Sequence, residues 1–143
     1  MGSILREIDS GILKNTCEIA AVISNKKDAK GISIAESLGV KTLCVESASR
    51  TREGFERELK KEIDSLGVDY IVLAGFMRVL TAPFVQYYKK QIINIHPADT
   101  RLHQGLHGYK WAWESSLDKT CITVHFVDEG IDTGEIIGQY EID

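Results

Sequence analysis

Short apolar runs alternate with amphipathic stretches along the whole of this chain, and that alternation admits few folds. Six runs read as strands: residues 18–24 (EIAAVIS), 41–45 (KTLCV), 70–74 (YIVLA), 91–95 (QIINI), 121–127 (CITVHFV) and 135–142 (EIIGQYEI). They are rich in β-branched residues and nearly continuous in apolar character, the pattern of strands buried on both faces. Helical periodicity fills the gaps. Residues 4–13 repeat Ile4, Ile8 and Ile12, and residues 28–38 carry Ile32, Ile34 and Leu38 ahead of Gly39. Residues 50–66 align Phe55, Leu59, Ile63 and Leu66 and stop at Gly67, so stripe and terminal glycine agree. A shorter helix is expected over 108–116. This order predicts an α/β fold: a mostly parallel sheet with helices on both faces. Ligands of such sheets bind beyond the carboxyl ends of the strands.

At 143 residues the chain has material for one domain. Its 17 basic and 21 acidic residues leave a net charge of −4. Nucleic acid and anionic membrane surfaces want a dense cationic face, so neither is expected as the main partner. The longest apolar stretch, near residues 70–80, is interrupted by Gly75 and Arg78 and is too short to span a bilayer. Cys17, Cys44 and Cys121 are odd in number and far apart. They are expected as buried thiols in a reducing, cytoplasmic compartment rather than as disulfides or zinc ligands.

Two clusters after predicted strands carry polar chemistry. Asn94-Ile95-His96-Pro97 closes the fourth run. Strand alternation puts Asn94 and His96 on one face, where an amide and an imidazole can both donate to a developing oxyanion. The same tetrapeptide also suits a strand-end turn whose histidine is satisfied by backbone. The second cluster, residues 127–134 (VDEGIDTG), packs three carboxylates into five positions. At least one needs a partner, and His96 can serve Asp132. Here the alternative is a solvated acidic turn. Asp-Thr-Gly also surrounds aspartic-protease carboxylates, but that chemistry needs two facing copies and all-β surroundings. His103 and His107 are spaced as a helical metal pair, yet Gly105 lies between them, so a loop and no metal are expected. Trp111 and Trp113 are expected as packing aromatics.

Together, residues 70–80 (YIVLAGFMRVL), 93–97 (INIHP), 105–107 (GLH) and 123–134 (TVHFVDEGIDTG) resemble the phosphoribosylglycinamide formyltransferase family. The likeness extends upstream through VISNK at 22–26 and DAKG at 28–31, and so covers most of the chain. It implies a Rossmann-like formyltransferase core spanning residues 1–143 as a single catalytic domain. It also implies transfer of a formyl group from 10-formyltetrahydrofolate to the amine of glycinamide ribonucleotide in purine synthesis. By motif position the catalytic residues are Asn94, His96 and Asp132, with Asp132 keeping His96 cationic. The folate would lie against Met77, Arg78, Val79 and Leu80 and against Phe126, Val127, Asp128, Glu129, Gly130 and Ile131. Gly75, Phe76 and His107 would border the other substrate.

The chain departs from the family pattern in three places. Met1-Gly2-Ser3-Ile4 stands where the family has a first strand and a glycine-rich phosphate loop, and Asp143 precedes the family's C-terminal helix. Residues 98–104 (ADTRLHQ) replace the usual continuation after His-Pro. The resulting expectation is a truncated core whose strands 18–24 and 70–74 pair directly, leave a gap, or recruit a strand through association at the sheet edge. Competing functions are a folate-binding remnant without turnover and a formyltetrahydrofolate hydrolase. Methionyl-tRNA formyltransferase shares the Asn-Ile-His-Pro and Asp-Thr-Gly pieces, but this acidic chain has no basic tRNA-binding module.

Overall fold

The computed structural model describes residues 1–115, 117 and 119–142. They divide into two compact units, Met1–Val68 and Asp69–Asp143. The first unit runs α1 (Gly2–Ser10), β1 (Val22–Ser24), α2 (Lys30–Ser37), β2 (Thr42–Cys44) and α3 (Arg52–Leu66). β1 and β2 pair in parallel, with Val22 opposite Thr42. The buried apolar side chains of this unit are Leu5, Ile32, Ala35, Val45, Phe55, Leu59 and Ile63. α3 follows its sequence signals closely. Thr51 accepts a hydrogen bond from the Gly54 amide at the N-terminus, and Gly67 ends the helix in the left-handed region at φ 60°. α1 is shorter than its isoleucine spacing suggests. The chain turns extended at Gly11, and Ile12 is left almost fully exposed.

The second unit runs β3 (Ile71–Leu73), α4 (Ala82–Tyr87), β4 (Ile92–His96), α5 (Gly108–Glu114), β5 (Thr120–Phe126) and β6 (Ile136–Ile142). Its sheet has the order β3-β4-β5-β6. β3 and β4 are parallel, whereas β4-β5 and β5-β6 are antiparallel. The α/β class therefore holds, with parallel pairing confined to β1-β2 and β3-β4. Apolar periodicity reports burial but not strand direction, and the short 127–135 connection permits only an antiparallel return. α4 was not anticipated. Its six residues start after Thr81 with Pro83 near the first turn, and they bury Phe84 and Val85. The expected end of α5 at Ser116 lies outside the described residues; the helix reaches Glu114.

Burial corrects three expectations. Only β4 and β5 hold fully buried side chains; β1 is half-buried throughout and β6 is largely exposed. Cys17 and Cys44 are exposed and Cys121 is half-buried, because Cys17 precedes β1 in irregular chain and Cys44 ends a three-residue strand. Trp113 lies on the outer face of α5 at 86% exposure, so it does not pack. Trp111 does, against His103.

Candidate active site

β4 is flanked on both sides and carries Asn94 and His96 to its end. In the antiparallel register Asn94 lies opposite His125 and His96 opposite Thr123. Asp132 enters from the β5-β6 connection with its backbone at φ 53°, a left-handed conformation that aspartate tolerates better than most side chains. That turn aims its carboxylate inward, and the side chain is 12% exposed.

Asp132 gathers the site. Its Oδ1 accepts from Asn94 Nδ2 at 3.2 Å and lies 3.4 Å from His125 Nε2. Its Oδ2 accepts from the Gly105 amide at 2.8 Å and lies 3.2 Å from His96 Nδ1. Asn94 and His96 thus face one carboxylate, each on a different oxygen. The other two acids of the loop have partners of their own. Asp128 Oδ1 accepts from the Gly130 amide and the Thr133 hydroxyl, and Glu129 accepts from Gln86.

His96 is 4% exposed, and its Nε2 is a buried nitrogen without a hydrogen-bond partner among the described residues. Buried polar atoms are rarely left so unless a ligand completes them. Burial lowers the affinity of His96 for a proton below that of an ordinary imidazole; the Asp132 carboxylate and the backbone of His103 oppose this without overcoming it. That direction favours a neutral His96 near pH 7, whereas the sequence reading expects a cation held by Asp132. A neutral ring facing a carboxylate through Nδ1 keeps its proton there, so Nε2 carries a lone pair.

The His103 ring stacks toward His96 at 6.3 Å and against Trp111 at 5.0 Å. α5 begins tightly against the chain after His96: a Cβ built on Gly108 would fall 2.7 Å from the Pro97 carbonyl oxygen. The divergent stretch after His-Pro is anchored rather than loose. Thr123 Oγ1 donates to the Ala98 carbonyl at 2.7 Å, and Gln139 Nε2 donates to Asp99 at 3.0 Å. Arg101 also binds Asp99 and holds its carboxyl well below the usual range.

Beside α4 lies a cavity of about 490 Å³. Phe126, Val127, Asp128 and Glu129 line it, together with Val85, Gln86, Lys89, Lys90, Gly134 and Glu135. Met77, Arg78, Val79, Leu80, Gly130 and Ile131 are not in its wall; Met77 is 77% exposed and Leu80 is buried. Of the residues expected at the other substrate, Gly75 and His107 are exposed with left-handed backbones and Phe76 is half-buried. No hydrogen bond joins these three to Asp132 among the described residues. Sequence reasoning missed His125. A histidine inside an otherwise apolar strand, just ahead of an acidic loop, was the available signal.

The second unit is thus a mixed sheet with an amide and an imidazole on a central strand and a carboxylate from the β5-β6 connection facing both. The particular family follows from comparison. The sequence profile described as Formyl transferase matches residues 1–143, and the chain belongs to that family. It is 40% identical over 125 residues to the phosphoribosylglycinamide formyltransferase of Escherichia coli, covering 87% of this chain and 59% of that protein. It is 42% identical over 123 residues to the trifunctional purine biosynthetic protein adenosine-3 of Drosophila melanogaster, covering 85% of this chain and 9% of that one. The chain therefore spans less than two thirds of the length of these relatives. Among solved structures, glycinamide ribonucleotide transformylase 1 from Symbiobacterium toebii superposes with a TM-score of 0.89 at 33% identity, covering 99% of this chain and 68% of that one. No helix among the described residues is long and apolar enough to cross a membrane.

Proposed function

We propose that this chain transfers a formyl group to the primary amine of glycinamide ribonucleotide, in purine biosynthesis and in the cytoplasm, with 10-formyltetrahydrofolate as donor. The observation that carries the reading is the unpartnered, buried Nε2 of His96 beside the Asn94 amide, with Asp132 behind both. The names of the relatives supply the substrates. The donor set fits them: the 490 Å³ cavity has the size of a small-molecule site, with Val85, Phe126 and Val127 as apolar wall for a flat ring. When bound, the folate supplies the formyl carbonyl on which charge develops.

The residues then have distinct tasks. His96 Nε2 accepts the proton that the amine sheds on adding to a carbonyl, and Asp132 stabilises the imidazolium so formed. That imidazolium returns the proton to the departing nitrogen. Asn94 donates an N–H to the oxygen as it gains negative charge. Gly105 and Asn94 hold Asp132 in place.

The test is a steady-state assay with both substrates that follows transfer and formate release, with and without the amine. Transfer that depends on the amine and is abolished in His96→Ala supports the reading. Formate release independent of the amine marks a hydrolase. Folate binding without turnover marks a binding remnant, and either result overturns the proposal.

A further inference from the structure

We infer that His103 is a positioning residue: by donating from Nε2 to the Leu106 carbonyl, it closes the turn that holds the Gly105 amide on Asp132. The catalytic roles of Asp132 and His96 in this inference rest on the transferase reading; the hydrogen bonds do not.

His103 belongs to the stretch that follows His96-Pro97 and precedes α5. Its Nε2 lies 2.9 Å from the Leu106 carbonyl oxygen. A carbonyl only accepts, so Nε2 carries a proton. The ring lies nearly parallel to that of Trp111 in α5, with 5.0 Å between centroids and 15° between planes. One contact fixes the edge of the imidazole and the other fixes its face. The turn before it is braced separately. The His103 amide donates to the Asp99 carbonyl at 2.8 Å, and Gln104 Nε2 donates to the Thr100 carbonyl at 3.0 Å. Among the described residues no backbone hydrogen bond closes 103–106, so the His103 side chain supplies the closure.

Gly105 lies inside that turn at φ 83°, a left-handed value that favours glycine. Its N–H reaches Asp132 Oδ2 at 2.8 Å, the same oxygen that faces His96 Nδ1 at 3.2 Å. The His103 backbone also borders the His96 ring and favours its protonated form. One turn therefore touches both members of the Asp132–His96 pair. Were the His103–Leu106 bond lost, the Gly105 N–H would leave Oδ2, and the carboxylate could rotate away from His96. The penalty falls on kcat, because the disturbed pair is the one that moves the proton.

The test has two arms on the full chain. The first reads the hydrogen bonds by NMR. Histidine-selective ¹⁵N labelling of the wild-type chain should show a protonated Nε2 on His103; an unprotonated Nε2 overturns the inference. Exchange of the Gly105 amide is then followed in two variants. His103→Phe keeps a ring against Trp111 but loses the donor, and Gly105 should exchange about 10-fold faster or more while residues 93–95 stay unchanged. His103→Gln keeps an N–H near Nε2 without the ring, and should restore slow exchange. Gly105 exchange in His103→Phe equal to wild type overturns the inference.

The second arm measures kcat and KM. His103→Phe should lower kcat about 10-fold with KM changed no more than about twofold, and His103→Gln should recover most of that loss. Equal losses in both variants, a loss carried by KM, or wild-type kcat in His103→Phe overturns the inference. If the wild-type chain shows no transfer, the transferase reading fails, and the NMR arm still decides the hydrogen bonds. If His103→Phe does not fold, the wild-type tautomer and Gly105 exchange in His103→Gln decide: a protonated Nε2 with slow exchange supports the inference, and any other result overturns it.

Discussion

Both oxygens of Asp132 are committed, Oδ1 to Asn94 and Oδ2 to Gly105, with an imidazole close to each. Asp132→Asn replaces one acceptor oxygen by a donor, so an N–H must then face a buried N–H. Losing the carboxylate behind a catalytic imidazole should lower kcat by about 10²- to 10⁴-fold, read by steady-state kinetics, with a smaller change in KM. The protonation of His96 yields a second prediction. Burial depresses its pKa in the folded chain below the ordinary value of 6.5. Between those two values the unfolded chain holds a proton that the folded chain refuses. Stability from this group is therefore complete above about pH 6.5 and is lost as the pH falls through the folded value. Urea midpoints measured from pH 8 to pH 5 should decline more steeply for wild type than for His96→Gln. The acid limb of kcat/KM should likewise lie below pH 6.5, because His96 is the base of the proposed transfer. A limb above that value would restore the cationic histidine expected from sequence.

At the scale of elements, the loop that delivers Asp132 depends on how closely it can pass β5. A Cβ built on Gly134 falls 1.7 Å from the Phe126 carbonyl oxygen, and that atom is backbone. Gly134→Ala must push the strands apart or displace the loop, so it should destabilise the fold by about 1–3 kcal/mol or more. Chemical denaturation measures the loss, and kcat should fall with it because Asp132 is two residues away. How much of this was legible in the sequence depended on range. α3 could be read almost to the residue because its stripe, Thr51 cap and Gly67 stop are local signals. Residues 18–21 were assigned to a strand on apolar content, yet only Val22–Ser24 find a partner, since pairing depends on residues 41–44. The meeting of Asn94, His96 and Asp132 followed from motif order. His125 did not, because its meaning arises only when β5 turns antiparallel to β4 and sets it opposite Asn94.

At the scale of the whole molecule, each compact unit brings a different kind of sheet. In Asp69–Asp143, β4 and β5 are hydrogen-bonded on both sides and hold Ile92, Thr123 and His125 at 1% exposure or less. In Met1–Val68, β1 and β2 pair only with each other over three residues, and none of their side chains is fully buried. Two-stranded sheets of that length are marginal in water, so local opening should be cheap there and costly in β4 and β5. Amide hydrogen exchange should show this gradient directly. The amides of residues 93–95 and 122–125 should exchange about 10²-fold or more slowly than those of residues 22–24 and 42–44, since each 1.4 kcal/mol of opening free energy is a factor of ten. On the proposed function, slow exchange in β4 and β5 keeps Asn94 and His96 in hydrogen-bond geometry through the reaction. Equal protection in the two sheets would mean that the strands carrying the site gain no rigidity from their central position, and the roles proposed for Asn94 and His96 would then lose their mechanical basis.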